Sequence, residues 1–312
     1  MPLDPIVKGF LDQMKAVGGP KMSEAGAPGG REQFVALMQM VGPRDVPVGK
    51  TQNLTVPGPA GPIPIRVYTP VAAGGEPMPA LIYFHGGGFV IGSVETHDGL
   101  CRLMANEGGF RVIAVEYRLA PEHKYPAAVD DAFAAVGWVA ANAADIGVDA
   151  NRIAVGGDSA GAALAAVCAQ LAKAKGIPLD AQLLLFPVVQ VGELTASLKE
   201  FAVGYFLEKD TLDWFYDSYL PADADKSDPR ISPLRAKDLS GLPAAYIMLG
   251  GFDPLHDEGM QYADRLRAAG VKVTVADHSD MVHCFIYLQS VLPQAHAALT
   301  EAAKAVAKMF RA

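Results

Sequence analysis

Short, almost wholly apolar runs alternate with helical stretches along most of this chain, and that alternation limits its possible folds more than any other feature. The apolar runs lie at residues 80–84, 111–115, 152–155, 181–186, 244–249 and 271–275. Predicted helices lie between most of them, at residues 97–107, 127–142, 160–174, 256–269 and 291–310. Strands that are apolar on both sides are typical of a parallel sheet whose two faces are covered by helices. The pattern therefore predicts an α/β fold.

Two further strands precede this alternation and have a different character. Residues 53–56 and 63–68 flank a turn rich in Gly and Pro, and Ile63, Ile65 and Val67 alternate with other side chains in the second strand. A tight turn between two such strands is typical of an antiparallel pair. Together with the six later strands, they predict an open, mostly parallel sheet of eight strands.

Two segments interrupt the alternation and are predicted to form a helical cap. Residues 1–45 carry apolar stripes with helical spacing, and residues 188–240 are an aromatic-rich insertion between two strands. The α/β core is then divided into a first part at 46–187 and a second part at 241–312. The cap side chains predicted to line a substrate pocket are Phe34, Met38, Phe201, Tyr205, Phe206 and Trp214. Aromatic and Met stripes are also common in packed cores, and that is the alternative.

Composition and charge argue against several classes of protein. The 312-residue chain has a net charge of −8, with 26 Lys and Arg against 34 Asp and Glu. An acidic balance without a basic run argues against nucleic acid and anionic membranes as partners. The three cysteines are far apart and form no C-x-x-C motif, so neither a disulfide framework nor a structural zinc site is expected. No signal-like start and no long apolar run occur, which predicts a cytoplasmic protein without stable membrane insertion.

A serine between two glycines follows one of the buried strands and begins an Ala-rich helix. The run Gly157-Asp158-Ser159-Ala160-Gly161 fits the G-x-S-x-G pattern of a nucleophile on a strand–turn–helix. Small flanking residues let the backbone turn sharply, and the following helix directs its N-terminal N–H groups at the site. Ser159 is therefore the candidate nucleophile. A Gly-rich turn with a helix-capping serine is the alternative.

Three consecutive glycines follow an earlier strand, in the run His85-Gly86-Gly87-Gly88. Glycines allow the backbone to come close to a substrate and to direct N–H groups inward. The N–H groups of Gly87, Gly88 and Ala160 are predicted to form an oxyanion hole, which would stabilise a negatively charged intermediate. His85 precedes these donors and is interpreted as orienting the loop. A flexible turn or a phosphate-binding loop is the alternative, although the full pattern of a phosphate loop is absent.

An activated serine needs a histidine within hydrogen-bond distance, and that histidine needs a carboxylate on its other ring nitrogen. Asp253 and His283 each follow a predicted strand near the C-terminal end of the sheet, at the same edge as the serine. They are the predicted acid and base. Asp257 and Glu258, which fall within the next helix, are competing acids, and His278 is the competing base.

These motifs together resemble the bacterial hormone-sensitive-lipase-like carboxylesterases of the α/β-hydrolase fold. The resemblance covers the chain from about residue 50 onward and rests on motifs that follow the family's order. They lie at residues 85–88, 117–122, 157–161 and 253–259, and His283 completes the set.

The resemblance implies an enzyme that hydrolyses small-molecule esters with short to medium acyl chains, without a metal or cofactor. It implies Ser159 as nucleophile, His283 as base and Asp253 as its partner, together with the three backbone donors named above. It also implies that the cap covers a catalytic α/β-hydrolase core. Many members form homodimers through the last strand and helix, which here would be residues 271–276 and 291–310.

Two alternative functions stay open at this point. An amidase or another acyl hydrolase on the same fold is the first, because a fold does not determine the substrate. The second is a hydrolase-like receptor that binds a small ligand without turning it over. Such receptors lose a member of the triad, whereas Ser159, Asp253 and His283 are all present here.

Three further residues in or next to these motifs have expected roles around the site. Arg118 is expected to hold a packed turn through nearby carbonyls, and Asp158 to brace the turn that carries the serine. Cys284 stands where the family usually has Gly after the histidine. A Cys there would narrow the pocket or make activity sensitive to thiol reagents, and a buried, unreactive thiol is the alternative.

Overall fold

Eight strands form a single sheet in the computed structural model, which describes residues 1–75 and 77–310. The strands are β1 (Lys50–Gly58), β2 (Gly61–Thr69), β3 (Met78–Phe84), β4 (Arg111–Val115), β5 (Val148–Asp158), β6 (Ala181–Leu185), β7 (Ala244–Phe252) and β8 (Val273–Val282). Their order across the sheet is β1-β2-β4-β3-β5-β6-β7-β8. β2 is antiparallel to both of its neighbours, and every later pair is parallel. The prediction of an α/β fold with eight mostly parallel strands is confirmed.

Helices flank the sheet and form the two cap segments. They are α1 (Pro5–Val17), α2 (Met22–Val41), α3 (Asp98–Gly108), α4 (Ala127–Ala141), α5 (Ala160–Lys175), α6 (Ala196–Glu200), α7 (Lys209–Tyr219), α8 (His256–Ala268) and α9 (Pro293–Met309). The second helix of the first cap segment, α2, bends at Gly26, whose φ of 67° is not helical. In the part of the chain that the structure describes, no helix combines the length and hydropathy that crossing a bilayer requires.

The last strand is longer than the apolar run that predicted it. The apolar run covers 271–275, whereas β8 remains paired with β7 as far as Val282. Residues 277–280 are polar and partly exposed because β8 is the edge of the sheet, so a criterion based on apolar residues stops before them. The extension places His283 directly at the end of a strand. A homodimer through β8 and α9 stays a prediction.

The centre of the sheet is buried on both faces. All residues of β4 and β6 are buried, as the apolar runs predict. Small side chains let α5 lie close to the sheet, since a Cβ at Gly161 would collide with the Phe84 carbonyl. The helix that follows Ser159 is therefore held in place by the core itself.

The N-terminal helices and the 188–240 insertion contact each other. The Phe10 ring in α1 lies 6.1 Å from the Phe206 ring, measured between centroids. A Cβ at Gly30 of α2 would lie 3.5 Å from the Trp214 ring of α7. These contacts support the predicted cap, whose boundaries in sequence stay a prediction.

We expect Leu183→Ala in β6 to lower the free energy of unfolding by about 2–5 kcal/mol, because it leaves a cavity at a fully buried site. Urea unfolding followed by circular dichroism measures this change. Leu194→Ala is the control, since Leu194 is 58% exposed. Its truncation is expected to cost under about 0.5 kcal/mol. Equal losses in the two variants would contradict the burial assigned to Leu183.

Candidate active site

The turn between β5 and α5 holds Ser159 in a strained conformation. Its φ of 53° and ψ of −117° lie outside the regions that L-residues favour. Gly157 and Gly161 make the turn possible, since a Cβ at Gly157 would collide with the Gly161 backbone. The Ser159 N–H donates to the Leu185 carbonyl at 2.8 Å, which attaches the turn to the end of β6. This is the geometry of a nucleophile elbow.

Three side chains that are distant in sequence form a chain of hydrogen bonds at this edge of the sheet. His283 Nε2 lies 3.0 Å from Ser159 Oγ, and His283 Nδ1 lies 2.7 Å from Asp253 Oδ2. The Leu255 N–H donates to the other oxygen of Asp253 at 2.8 Å. Since a carboxylate only accepts, Nδ1 carries the proton and Nε2 is left to accept from the serine hydroxyl. The structure thus brings together the predicted serine, acid and histidine.

All three side chains are shielded from solvent. Ser159 is 9% exposed, His283 4% and Asp253 0%. The Phe186 ring, which follows β6, stands edge-on to the His283 ring with 5.6 Å between centroids. Hydrogen bonds between polar groups are stronger in such an environment than in water.

The competing acids and histidine have other partners. Asp257 accepts the Ser197 N–H at 2.9 Å, and Glu258 accepts two backbone N–H groups of the insertion. The His278 ring lies 4.9 Å from the Phe285 ring, and burial lowers its pKa. Within residues 1–75 and 77–310, no three His, Cys, Asp or Glu side chains are grouped as metal ligands would be.

The glycine loop presents backbone donors beside the elbow. Gly87 has a φ of 118° and Gly88 one of 59°, both in the region that favours glycine. A Cβ at Gly87 would collide with the Ile91 carbonyl, and one at Gly88 with the Phe215 ring. Among the described residues, the N–H groups of Gly87, Gly88 and Ala160 have no protein acceptor. They are therefore available to a ligand.

His85 lies behind the glycine loop and stacks on Tyr117, with 4.3 Å between ring centroids. Its Nδ1 donates to the Gly86 carbonyl at 2.8 Å, and the Tyr117 hydroxyl donates to the His85 carbonyl at 2.7 Å. Burial and the neighbouring His97 ring lower the pKa of His85 to about 3, so the ring is neutral at pH 7. These contacts orient the loop, in agreement with the interpretation from sequence.

The Asp158 carboxylate is completely buried and surrounded by donors. The Tyr83 hydroxyl and the Gly86 N–H donate to Oδ1 at 2.6 and 3.0 Å. The Tyr287 hydroxyl donates to Oδ2, and His97 Nε2 lies 3.4 Å from the same oxygen. Burial opposes ionisation, but the His97 ring and the two hydroxyls outweigh it and lower the pKa of Asp158 to about 2. The carboxylate joins the elbow to the glycine loop, as a bracing residue would.

The 117–122 segment is a packed turn, but Arg118 has a different principal partner from the one expected. Two guanidinium nitrogens of Arg118 donate to the two oxygens of Asp131, each at 2.8 Å. The Ala127 carbonyl is a longer contact at 3.4 Å. The expectation of carbonyl partners was therefore incomplete, because a carboxylate matches the guanidinium fork on two sides and a carbonyl does not.

Of the predicted pocket residues of α2, Phe34 packs against other rings and Met38 borders a cavity. The Phe34 ring contacts the rings of His97 and Tyr287. Met38 lines a surface cavity of about 380 Å³ that α3 also borders. Both side chains have more than 90% of their surface buried, which the alternative of core packing also predicts.

Two of the four predicted pocket residues of the insertion lie close to Asp253, and the other two contact the N-terminal helices. Phe201 and Tyr205 pack against Phe252, the residue before the acid, with ring centroids 5.4 Å away in both cases. Phe206 contacts α1, and Trp214 contacts α2. A pocket lined by the six predicted side chains stays a prediction.

Two aromatic residues that the sequence analysis did not select lie against the site. Phe215 of α7 covers the glycine loop, and Phe186 contacts the histidine. Phe215 follows the selected Trp214 by one residue, which turns it to a different face of the helix. The available signal was helical spacing, since Leu212, Phe215 and Tyr219 are the buried residues of α7.

Comparison with known proteins identifies the family. A family profile described as alpha/beta hydrolase fold matches residues 81–287. Over 250 residues the chain is 40% identical to ethyl acetate hydrolase from Pseudomonas putida, a match that covers 78% of each protein. This chain belongs to the hormone-sensitive-lipase-like carboxylesterases.

Other relatives of this carboxylesterase carry related names. Carboxylic ester hydrolase LipN from Mycobacterium tuberculosis is 47% identical over 243 residues, which are 76% of this chain and 64% of LipN. The match thus spans less than two thirds of the length of LipN. A solved ester hydrolase from the metagenome of Lake Arreo, complexed with a derivative of bipyridine phosphonate, superposes with a TM-score of 0.96. It is 42% identical, and the superposition covers 98% of each chain.

The backbone conformation of the residue after the histidine is one that favours glycine. Cys284 has a φ of 50° and a ψ of 33°, a left-handed conformation that Gly adopts most easily. The thiol is 2% exposed, and burial raises its pKa well above the usual value. Thiols of this kind are unreactive, which favours the alternative of a buried, inert side chain.

We expect Asp158→Asn to destabilise this carboxylesterase by about 2–3 kcal/mol at pH 7. The amide replaces one acceptor oxygen with an NH2 group, which would then face the donors that now bind that oxygen. The lowered pKa of Asp158 sets the pH dependence. A carboxylate whose pKa is lower in the folded state than in the unfolded state contributes stability above the unfolded value, 3.8, and loses it as the pH falls towards 2. The difference in the free energy of unfolding between wild type and variant should therefore become smaller below about pH 4.

Urea unfolding of both proteins between pH 7 and pH 3 measures this difference. Asp145→Asn, on an exposed turn, is a suitable control for the chemical change itself. A difference that stays constant down to pH 3 would contradict an ionised, hydrogen-bonded carboxylate at position 158.

Proposed function

We propose that this carboxylesterase hydrolyses esters with short to medium acyl chains through a Ser159–His283–Asp253 triad and an acyl-enzyme intermediate. The observation that carries the proposal is the continuous chain of hydrogen bonds, with links of 3.0 and 2.7 Å, that ends at the serine hydroxyl. Its polarity leaves His283 Nε2 as an acceptor, which is what removal of a proton from a nucleophile requires.

Acylation begins when Ser159 Oγ attacks the carbonyl carbon of the ester. His283 Nε2 takes the hydroxyl proton as the new C–O bond forms, and Asp253 stabilises the resulting imidazolium through Nδ1. The imidazolium then gives this proton to the oxygen of the departing alcohol, and the acyl group remains on Ser159.

Deacylation repeats the same proton transfers with water. His283 removes a proton from a water molecule as the water oxygen attacks the acyl carbon. The second tetrahedral intermediate then collapses, the bond to Ser159 Oγ breaks, and the histidine returns the proton to the serine. A carboxylic acid leaves, and the starting state is restored.

The N–H groups of Gly87, Gly88 and Ala160 are proposed to stabilise the oxyanion of both intermediates. Ala160 is the first residue of α5, so the helix dipole adds positive potential at the same point. Losing one comparable donor typically lowers kcat by about 10²–10³-fold. Because a Cβ at Gly87 or Gly88 would collide with its neighbours, the loop keeps its two glycines for a steric reason as well.

Small acyl groups suit the space beside the serine. Phe215 covers the glycine loop, Phe186 stands against His283, and Ser159 is only 9% exposed. These two rings limit the room on either side of the nucleophile. The Pseudomonas putida relative is named for ethyl acetate, which is a small ester.

We expect Ser159→Ala to lower kcat for p-nitrophenyl butyrate by at least about 10⁴-fold while leaving the fold unchanged, because the nucleophile is removed. Release of p-nitrophenol measures turnover, and mass spectrometry measures labelling by an alkyl phosphonate probe. Wild type should gain one label and the variant none. Ser240→Ala, at an exposed position, is the matched control and should behave as wild type does.

Turnover by Ser159→Ala at the wild-type rate, or labelling of that variant, would overturn the assignment of the nucleophile. A p-nitroanilide with the same acyl group tests the choice of substrate. If wild type cleaves the anilide as fast as the ester, the amidase alternative holds.

We expect kcat/KM of wild type to be highest for p-nitrophenyl esters between acetate and hexanoate, and Phe215→Ala to shift the optimum to longer chains. Removing the ring frees volume above the glycine loop. An acyl series from acetate to laurate measures both profiles. Phe310→Ala is the comparison, because this ring contacts Phe110 instead of the glycine loop. An unchanged profile in Phe215→Ala would contradict the proposed role of Phe215.

A further inference from the structure

A buried acid that the proposed mechanism does not use lies close to the triad. Glu258 is 5% exposed, and its Oε1 accepts the N–H groups of Val189 and Gln190 at 2.7 and 3.2 Å. Within residues 1–75 and 77–310, no Lys, Arg or His lies at ion-pair distance from it. An acid buried without a cation is costly, so a specific benefit is expected where one is found.

The segment that Glu258 holds touches the candidate site at two points. Residues 186–190 leave β6, and the Phe186 ring contacts the His283 ring. The Val188 N–H approaches the Ser159 carbonyl at 3.4 Å. Phe186 also has a φ of 51°, a conformation that persists only where the surroundings impose it.

Glu258 is itself attached to the acid of the triad through α8. It lies in the first turn of α8, and the residues that precede this helix include Asp253. The Asp253 carboxylate accepts the N–H of Leu255, the residue before α8. One side chain therefore connects the segment beside the serine and the histidine to the helix that follows Asp253.

We infer that Glu258 is a positioning residue for ester hydrolysis, which holds the 186–190 segment against Ser159 and His283 through two backbone hydrogen bonds. The inference rests on the proposed function. Without the acceptor, the two N–H groups would lack partners and the segment would shift. A displacement of about 1 Å at a reacting group is enough to lower a rate by about 10²-fold.

The surroundings of Glu258 determine its protonation state. The pKa of Glu258 is raised to about 8. Burial is the largest cause, the nearby Asp253 also raises the pKa, and the two N–H groups lower it. Glu258 also borders a cavity of about 410 Å³. The other titratable side chains that line this cavity are Glu193, Lys209, Asp213, Tyr216, Asp217 and Lys226. Glu258 is therefore mostly protonated at pH 7, and a glutamine resembles it in both charge and shape.

Three variants at this position test the inference by kinetics. Glu258→Gln retains an acceptor oxygen of the same reach and should keep kcat for p-nitrophenyl butyrate within about threefold of wild type. Glu258→Ala lacks the acceptor, and Glu258→Asp is one methylene too short to reach the two N–H groups. Both should lose about 10–100-fold in kcat with KM changed by less than about threefold. If Glu258→Ala fails to fold, Glu258→Asp carries the comparison.

Asp257→Ala is the matched control on the same helix. Asp257 also accepts a backbone N–H of the insertion, that of Ser197, but it does not contact residues 186–190. Its kcat should stay within about threefold of wild type. An equal loss in Asp257→Ala and Glu258→Ala would mean that any loosening of the insertion lowers the rate, and would overturn the inference.

A second readout follows from proton linkage. The pKa of Glu258 is about 8 in the folded protein against 4.5 ordinarily, so unfolding releases a proton between these values. Wild-type stability attributable to this group is therefore present at low pH and falls as the pH rises from 4.5 to about 8. Glutamine does not titrate, so the Tm of Glu258→Gln relative to wild type should rise across this window and level off above it. A constant difference would contradict a buried, protonated Glu258.

Different results would contradict the proposed function and the positioning role of Glu258. If Ser159→Ala still hydrolyses the ester, the proposed function is wrong, and the kinetics of the Glu258 variants then do not test the positioning role. If Ser159→Ala is inactive but Glu258→Ala and Glu258→Asp turn over at the wild-type rate, the function holds and the positioning role of Glu258 is wrong.

Discussion

The buried carboxylate of Asp158 is the interaction on which the site depends. A charge removed from water is tolerated only where hydrogen bonds replace its hydration. Here the donors come from Tyr83 on β3, Gly86 in the glycine loop, His97 before α3 and Tyr287 after β8. Tyr287 is separated from Asp158 by 129 positions in sequence. Because the charge is stable only with these donors in place, formation of the site is coupled to completion of the fold.

The same coupling gives the backbone donors of the site a fixed direction. Gly86 is held by Asp158, and its carbonyl is held by His85, so the loop is anchored immediately before Gly87 and Gly88. In the proposed mechanism these donors already point at the developing oxyanion, so they need no reorganisation during the reaction, and this is where electrostatic catalysis gains most of its effect. The hydrogen bonds behind the loop and the free N–H groups in front of it are thus two parts of one arrangement.

The features that the sequence predicts are those for which a local pattern has one physical solution. Apolar strands separated by helices require a covered parallel sheet, and two glycines around Ser159 after a buried strand require a sharp turn. The features it misses depend on neighbours that are distant in sequence. Arg118 pairs mainly with Asp131 and not with a backbone carbonyl, and Phe215 faces the glycine loop where Trp214 does not. A sequence pattern does not tell which other segment will pack against a given side chain, so these contacts are visible only in the three-dimensional structure.

Backbone strain is concentrated around the site. In the described part of the chain six non-glycine residues have a positive φ, and four of them adjoin it: Phe89, Ser159, Phe186 and Cys284. Such conformations cost roughly 1–3 kcal/mol each and persist only where the surrounding structure determines the backbone. Relaxing any of them would move the serine hydroxyl, the glycine loop or the ring of His283 out of line. The strain therefore accompanies the geometry, and the buried strands β4 and β6 with the helix α5 supply the rigid surroundings that maintain it. A large sheet with a buried centre suits this chemistry because it can hold several unfavourable turns at one edge without losing its fold.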